Sequence, residues 1–199
     1  MPLPRKIEIV IPLLSRAIPR GREWVYEAKL DGFRGVLFLE RGQGRFLSKT
    51  GKPMPRFKAL AEELARSMRV EEAILDGEIV VLAEGGRPAF YPLLFAAGRP
   101  SYAAFDLLWL NGEDLRGLPH HRRKARLKKV TKGGPVGFVE AVKDPALFDV
   151  IVEMDLEGIV AKRRGDPYGA GTEWLKVRHL GYSQKVGRAE LFHRRRARG

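Results

Sequence analysis

The chain contains no cysteine, which rules out disulfide bridges and thiolate-held metals. No apolar run approaches the roughly 20 residues that a membrane-spanning helix needs. The opening Met1-Pro2-Leu3-Pro4-Arg5-Lys6 lacks the core of a signal peptide. A cytoplasmic protein that leaves membranes alone is therefore expected. Amides are scarce too, with one asparagine (Asn111) and two glutamines (Gln43 and Gln184). Few amides beside 31% charged residues fit a thermophile, although a GC-rich genome would favour the same usage. Acids are the scarcer charge: 24 Asp and Glu against 37 Lys and Arg, a net charge of +13. Such an excess points to a polyanionic partner, most simply nucleic acid. From Arg116 to Lys132 there are eight lysines and arginines and no acid at all.

With 199 residues, 44% of them hydrophobic, the chain suits one domain with short appendages. Residues 1–22 carry Pro2, Pro4, Pro12 and Pro19 and read as an extended lead-in. The main domain is expected over 23–180, followed by a basic tail over 181–199. Alternation predicts strands at 24–28, 33–40 and 45–49, an antiparallel meander with Lys29 in its first connection. Pro55 opens a helical pattern reaching about Arg69, with Phe57, Leu60, Ala61, Leu64 and Met68 at helical spacing. Strands are also expected at 73–82, 101–110, 158–163 and 173–178, with a turn at Asn111-Gly112. Residues 84–100 read as turns. Pro119 should start a helix, and Asp144-Pro145 should cap another with Leu147, Val150, Ile151 and Met154 on one face. This mixed order argues for α+β rather than a doubly wound sheet.

The densest chemistry lies in Glu27-Ala28-Lys29-Leu30-Asp31-Gly32-Phe33-Arg34, which spells K-x-D-G-x-R. A lysine amine can attack the α-phosphorus of a nucleotide once it has lost its proton. Its reference pKa is about 10.4, and catalysis wants roughly 7–8. Neighbouring cations, a bound metal and partial burial all push it down. Gly32 lets the backbone turn tightly beside a ligand. Arg34 offers a planar donor fork to phosphate or ribose oxygens. The plainer reading of the same residues is a strand ending in an Asp-Gly turn.

Three later segments keep company with this motif. Leu75-Asp76-Gly77-Glu78-Ile79-Val80 sets Glu78 in an otherwise apolar strand. Another strand, Glu157-Gly158-Ile159-Val160-Ala161-Lys162-Arg163, opens on a glutamate and carries a lysine near its end. In Trp174-Leu175-Lys176-Val177-Arg178, alternation puts Lys176 and Arg178 on one face. Carboxylates hold Mg²⁺ and ribose hydroxyls, and cations hold phosphates.

In this order, EAKLDGFR, LDGEIV, FDLLWLNGEDL, EGIVAKR and WLKVR span residues 27–178 and resemble motifs I, III, IIIa, IV and V of the covalent nucleotidyltransferases. The likeness is strongest to the adenylation domain of ATP-dependent DNA ligases, especially the ligase module of bacterial end-joining ligases. It implies an α+β, ATP-grasp-like nucleotidyltransferase fold, with antiparallel sheets flanked by helices and the nucleotide cleft between them. It implies that Lys29 becomes adenylylated from ATP and passes AMP to the 5′-phosphate of a DNA nick, which is then sealed. Glu27 and the backbone around Ala28 and Leu30 would read the adenine. Arg34 and Glu78 would hold the ribose region, and Phe105 would stack on the base or serve as an ordinary core aromatic. Glu157 would bind the catalytic Mg²⁺ with help from Glu78, Mn²⁺ being the alternative ion. Lys176, Arg178 and Lys162 would contact the α-phosphate. Two positions depart from the family pattern. Lys49 stands where relatives usually carry arginine, which replaces a bidentate fork by a point charge, and Arg178 replaces a more usual lysine.

The 26 residues before the motif are too few for the extra domain of NAD-dependent ligases, so ATP is the expected donor. The 21 residues after Arg178 are too few for an OB-fold domain. A monomer is expected. Its partners would be nicked or broken duplex DNA and, in trans, a Ku-like or OB-fold protein. Candidate DNA contacts are Arg122, Arg123, Lys124 and Arg126 in the basic run, and Arg194, Arg195 and Arg196 in the tail. Two alternatives stay open: an RNA ligase or capping-type guanylyltransferase, and a nick-binding module without turnover.

Overall fold

Two β-sheets pack face to face, and the chain steps from one to the other at the K-x-D-G motif. The computed structural model describes residues 2–83 and 86–185. The smaller sheet has the order β1-β10-β9-β2, built from β1 (Leu13–Leu14), β10 (Trp174–Arg178), β9 (Gly158–Arg163) and β2 (Trp24–Ala28). All its pairings are antiparallel except β1 with β10. The larger sheet has the order β4-β3-β5-β6-β7, from β4 (Gln43–Ser48), β3 (Phe33–Glu40), β5 (Glu72–Val80), β6 (Ser101–Leu110) and β7 (Glu113–Asp114). A short β8 (Gly137–Phe138) adds parallel to β6.

Among the described residues four α-helices cover the sheets: α1 (Lys58–Ser67), α2 (Phe90–Leu94), α3 (His120–Thr131) and α4 (Leu147–Glu153). One core lies between the larger sheet and α1 and α3, around Leu37, Leu75, Leu107, Leu64 and Leu127. Each such side chain contributes roughly 1.5–3 kcal/mol by leaving water. A second core joins the sheets through Val36, Phe38, Ile74, Leu108, Tyr168 and Trp174. The third seats α4 on the smaller sheet through Ile151, Ile159 and Val177. Among the described residues no helix is long and apolar enough to cross a membrane.

The structure corrects several expectations. Only half of the expected meander forms, the β3–β4 hairpin. β2 pairs with β9, Ala28 opposite Ile159, while β3 pairs with β4 and β5. Alternation marks a strand but not its partner, and residues 29–32 carry the chain from one sheet into the other. Gly32 permits this crossing: a Cβ there would lie 2.1 Å from the Ile79 carbonyl oxygen. The lead-in is woven into the fold. Ile7 and Val10 are buried, and β1 pairs with β10. Helix α2 lies in the stretch read as turns. Asp144 does not cap α4: the N-cap is Ala146, with no side-chain cap hydrogen bond, and Asp144 Oδ1 accepts from the Ala146 amide at 2.9 Å in the turn before the helix, while α4 buries Ile151 and leaves Val150 and Met154 exposed.

Candidate functional site

Lys29 follows the last residue of β2 and is anchored there by its amide, which donates to the Gly158 carbonyl at 2.8 Å. The β2–β9 register therefore sets Glu157, just ahead of β9, beside the lysine. Its Oε2 lies 2.5 Å from Lys29 Nζ, and both side chains keep some exposure, 23% and 16%. Gly158 has φ of +146°, and a Cβ there would meet the Val177 carbonyl at 2.1 Å, so this close strand contact demands glycine.

A cavity of about 380 Å³ opens beside Lys29 between the sheets. The smaller sheet supplies Glu27, Ala28, Val160, Lys162, Trp174 and Lys176 to its wall. From the larger sheet come Phe33, Arg34, Ser48, Glu78 and Phe105, and Lys49 joins them just past β4. The floor is an ionic cluster. Glu27, 2% exposed, takes Lys162 at 2.6 Å, Lys124 at 2.7 Å and His120 at 3.2 Å. Burial alone would raise the Glu27 pKa, but Lys124, Lys162 and His120 drive it well below the usual carboxylate range. Lys162 makes no well-angled hydrogen bond, so its hold on Glu27 is electrostatic. It also lies over Trp174, 3.9 Å from the ring centroid, and over Phe105 at 4.6 Å. Burial lowers its pKa despite the Glu27 charge.

Glu78 has the opposite shift. Burial pushes its carboxyl up to about 8; Glu157 and Asp76 add to the rise, and Lys29 and Arg34 oppose it. Near neutral pH it can donate as well as accept a hydrogen bond. Burial, Arg178 and Lys29 lower the Lys176 pKa, and Glu157 opposes them. Acidic groups, a row of cations and an aromatic pair thus surround one amine, a set whose chemistry suits a phosphorylated, ring-bearing ligand.

The family model described as ATP dependent DNA ligase domain matches residues 14–178. The chain belongs to that family. It is 35% identical over 189 residues to the multifunctional non-homologous end joining protein LigD of Pseudomonas aeruginosa, covering 89% of this chain and 22% of that protein. Among solved structures, the ligase domain of M. tuberculosis LigD superposes with a TM-score of 0.72 at 30% identity, covering 86% of this chain and 59% of the other. A mycobacterial DNA ligase D complexed with ATP and MES gives 0.68 at 32% identity, covering 78% and 54%. The chain thus spans little more than half of each solved ligase and about a fifth of the Pseudomonas protein. The ATP-dependent ligase nucleotidyltransferase fold follows, with its α+β architecture and antiparallel sheets.

Within this ligase fold, Glu27, Ala28, Lys29, Leu30, Arg34, Lys49, Glu78, Phe105, Lys162 and Lys176 all line the cavity. Glu157 reaches it through Lys29. Arg178 is exposed and outside the wall, acting on Lys176 through its charge. The Arg34 fork, expected to face phosphate or ribose, is taken. Its Nε and Nη2 donate to Asp76 at 3.0 and 2.5 Å, and Nη1 donates to the Val10 carbonyl at 2.7 Å. Tyr168 Oη also donates to Asp76, at 2.6 Å. Arg34 therefore shapes the wall between Phe105 and Trp174 rather than offering a free fork. Phe105 is both a wall residue and a core aromatic, edge-on to Trp174 with centroids 5.9 Å apart.

The basic run divides. Arg123 and Lys124, expected on DNA, point inward: Arg123 is fully buried on Asp106, and Lys124 holds Glu27 and the Phe105 carbonyl. Arg122 is exposed, and Arg126 pairs with Glu113 at 2.5 Å. Arg194, Arg195 and Arg196 lie outside the described residues. Sequence reasoning missed Asp76, His120 and Trp174 as parts of the site. The signal for Asp76 was a charge in mid-strand beside Glu78. For His120 it was a polar residue at the core-facing phase of a helix.

Proposed function

We propose that this chain is a covalent adenylyltransferase acting as a DNA ligase. Lys29 attacks the α-phosphorus of ATP, forming a nitrogen–phosphorus bond while pyrophosphate leaves with the electrons of the broken phosphorus–oxygen bond. The observation that carries the reading is the Lys29 amine, 2.5 Å from Glu157 at the edge of a cavity walled by Lys49, Lys162 and Lys176. The amine is engaged with Glu157 and turns to phosphorus when that contact opens. Phe105 and Val160 offer apolar surface to the base, and Glu27 with Lys162 offers it an acceptor and a donor. Glu78, carrying its proton near neutral pH, suits a ribose hydroxyl. Lys176 and Lys49 offset charge on the phosphates.

A divalent cation fits the residues present. The described residues hold no cluster of three or more acids and histidines, and Mg²⁺ characteristically uses one or two carboxylates plus substrate phosphates. Glu157 would hold it, with Glu78 beside it and Mn²⁺ as the alternative. Bound there, it would supply Lewis-acid stabilisation of phosphate charge. AMP would then pass to the 5′-phosphate of a nick, and the 3′-hydroxyl would displace it and seal the strand. Broken DNA in repair is the proposed setting, inside the cytoplasm, for a monomer working with a Ku-like or OB-fold partner. The end-joining names of the relatives support that setting.

Intact-mass spectrometry after incubation with ATP and Mg²⁺ tests the reading. A gain of one AMP, lost in Lys29→Ala and reversed by pyrophosphate, is the expected result. An adduct with GTP instead would point to capping. No adduct in the presence of an OB-fold partner and nicked DNA would leave a binding module.

A further inference from the structure

From Glu27 to Arg34, every residue except Asp31 lines the cavity beside Lys29. The Asp31 side chain is buried behind that wall, where its Oδ2 accepts from Tyr182 Oη at 2.7 Å. Tyr182 is buried as well and takes no part in the cavity wall. It also lies past the residues that the family model matches.

Tyr182 belongs to a short segment, residues 179–184, that follows β10 and ties the two sheets together. The His179 amide donates to the Glu157 carbonyl at 3.0 Å. Ser183 holds Asp155 twice, through its amide at 3.0 Å and its hydroxyl at 2.5 Å. These contacts fix the segment to the loop ahead of β9. At its far end, Gln184 Oε1 accepts from the Phe90 amide at 2.8 Å, and Nε2 donates to the Pro88 carbonyl at 3.0 Å. Those contacts fix it to the start of α2, which packs into the core of the larger sheet through Leu93.

One segment thus carries an anchor for each partner of the Lys29–Glu157 pair. Glu157 is held by its own carbonyl. Lys29 sits at the start of the crossing between the sheets, residues 29–32, which belongs to neither sheet. The crossing is fixed at one end by the Lys29 amide on Gly158 and at the other by Phe33 opposite Ile79. Between those ends, the Tyr182 hydroxyl holds it at Asp31. Misplacing a reacting group by about 1 Å can cost on the order of 100-fold in rate, so an anchor two residues from the nucleophile matters. We propose that Tyr182 is a positioning residue for Lys29, acting through Asp31; its effect on rate rests on the adenylyltransferase reading of the site.

Tyr182→Phe keeps the ring and removes the hydroxyl. In rapid-quench adenylylation its rate at saturating ATP should fall about tenfold or more, while the half-saturating ATP concentration stays within about twofold of wild type. A second readout needs no ATP. After pyrophosphate treatment, competitive acetylation by acetic anhydride, read by peptide mass spectrometry, reports the amine itself. In the variant, Lys29 should label about two- to fivefold faster relative to exposed Lys58, as its hold on Glu157 loosens. Asp31→Asn weakens the same bond from its other end and should shift both readouts in the same direction, which covers a Tyr182→Phe protein that does not fold. Ser183→Ala loosens the segment at Asp155 and leaves the Tyr182 hydroxyl in place, so its rate and labelling should match the wild type. Wild-type labelling in Tyr182→Phe overturns the proposal, as does an adduct formed at the wild-type rate. Equal changes in Ser183→Ala also overturn it, by making Tyr182 one brace among several. A wild type that forms no adduct counts against the adenylyltransferase reading alone, and the acetylation result then decides whether Tyr182 positions the amine.

Discussion

Replacing Arg123 with methionine separates the two readings of the basic run. If the arginine grips DNA, the variant should fold normally and bind DNA less well. The structure says otherwise. Arg123 is fully buried, with Nε and Nη2 on the Asp106 carboxylate at 2.8 and 3.0 Å. Nη1 donates to the Leu118 and Asp166 carbonyls at 2.5 and 3.1 Å. Burial alone would raise the Asp106 pKa; the Arg123 charge and hydrogen bonds more than reverse that. Removing the arginine leaves a fully buried carboxylate unpaired, which costs about 3–5 kcal/mol. For a chain of this size that is a fall in melting temperature of roughly 6–20 °C. Urea unfolding and calorimetry both read it. A double variant with Asp106→Leu should recover much of the loss, because both charges then go together. A loss under about 1 kcal/mol, with a drop of about 0.9 in the salt slope for DNA, would falsify the inward assignment and restore Arg123 as a phosphate contact.

Other perturbations follow from the same geometry. Gly32→Ala puts a methyl group against the Ile79 carbonyl, where the ideal Cβ position is 2.1 Å away. The β3–β5 pairing must give way, at about 1–3 kcal/mol, and Lys29-AMP formation in a rapid-quench assay should slow at least tenfold. Trp174→Ala removes the ring beneath Lys162 and beside Phe105 and should cost about 3–5 kcal/mol in urea unfolding. Glu27 has a folded pKa below its unfolded value, so its ion cluster stabilises fully above about pH 4.3 and progressively less below it. The stability gap between wild type and Glu27→Gln should therefore be constant near neutrality and shrink by about 1.4 kcal/mol per pH unit as the pH falls below 4.3. A gap that widens in acid would refute that sign. Arg122→Ala, exposed on the same helix, should change stability by no more than about 0.5 kcal/mol.

The parts of the site most legible in the sequence are those where chemistry and local geometry coincide. Glu78, Lys162 and Lys176 lie on strands whose alternation was visible, Lys29 directly follows another, and all four reach one cavity. Strand partners were not legible, because alternation is the same whichever sheet a strand joins. Hence β2 was assigned to the wrong neighbours. Helix α3 shows a deeper limit. Its inward positions 120, 123, 124, 127 and 131 follow helical spacing, but four of those five residues are polar. A count of charges therefore read a buried framework as a surface. The partners that make burial tolerable, Glu27 and Asp106, lie 97 and 17 residues away from Lys124 and Arg123, on other strands. Arg34 was misjudged for the same reason: its fork is filled by Asp76 across β3 and β5.

The smaller sheet is assembled from opposite ends of the sequence, with Trp24 opposite Arg163 and Leu13 opposite Leu175. The larger sheet comes mostly from neighbours in the chain, such as the β3–β4 hairpin. Closing so long a loop is slow, because its entropy is lost before the pairing rewards it. During folding, local hairpins should therefore form well before Lys29 meets Glu157. On a ribosome that meeting waits until residue 157 has left the exit tunnel, so a stalled or truncated chain would carry the K-x-D-G signature without the carboxylate beside its lysine. The Lys29–Glu157 contact is then a reporter of long-range closure between the two ends of the smaller sheet.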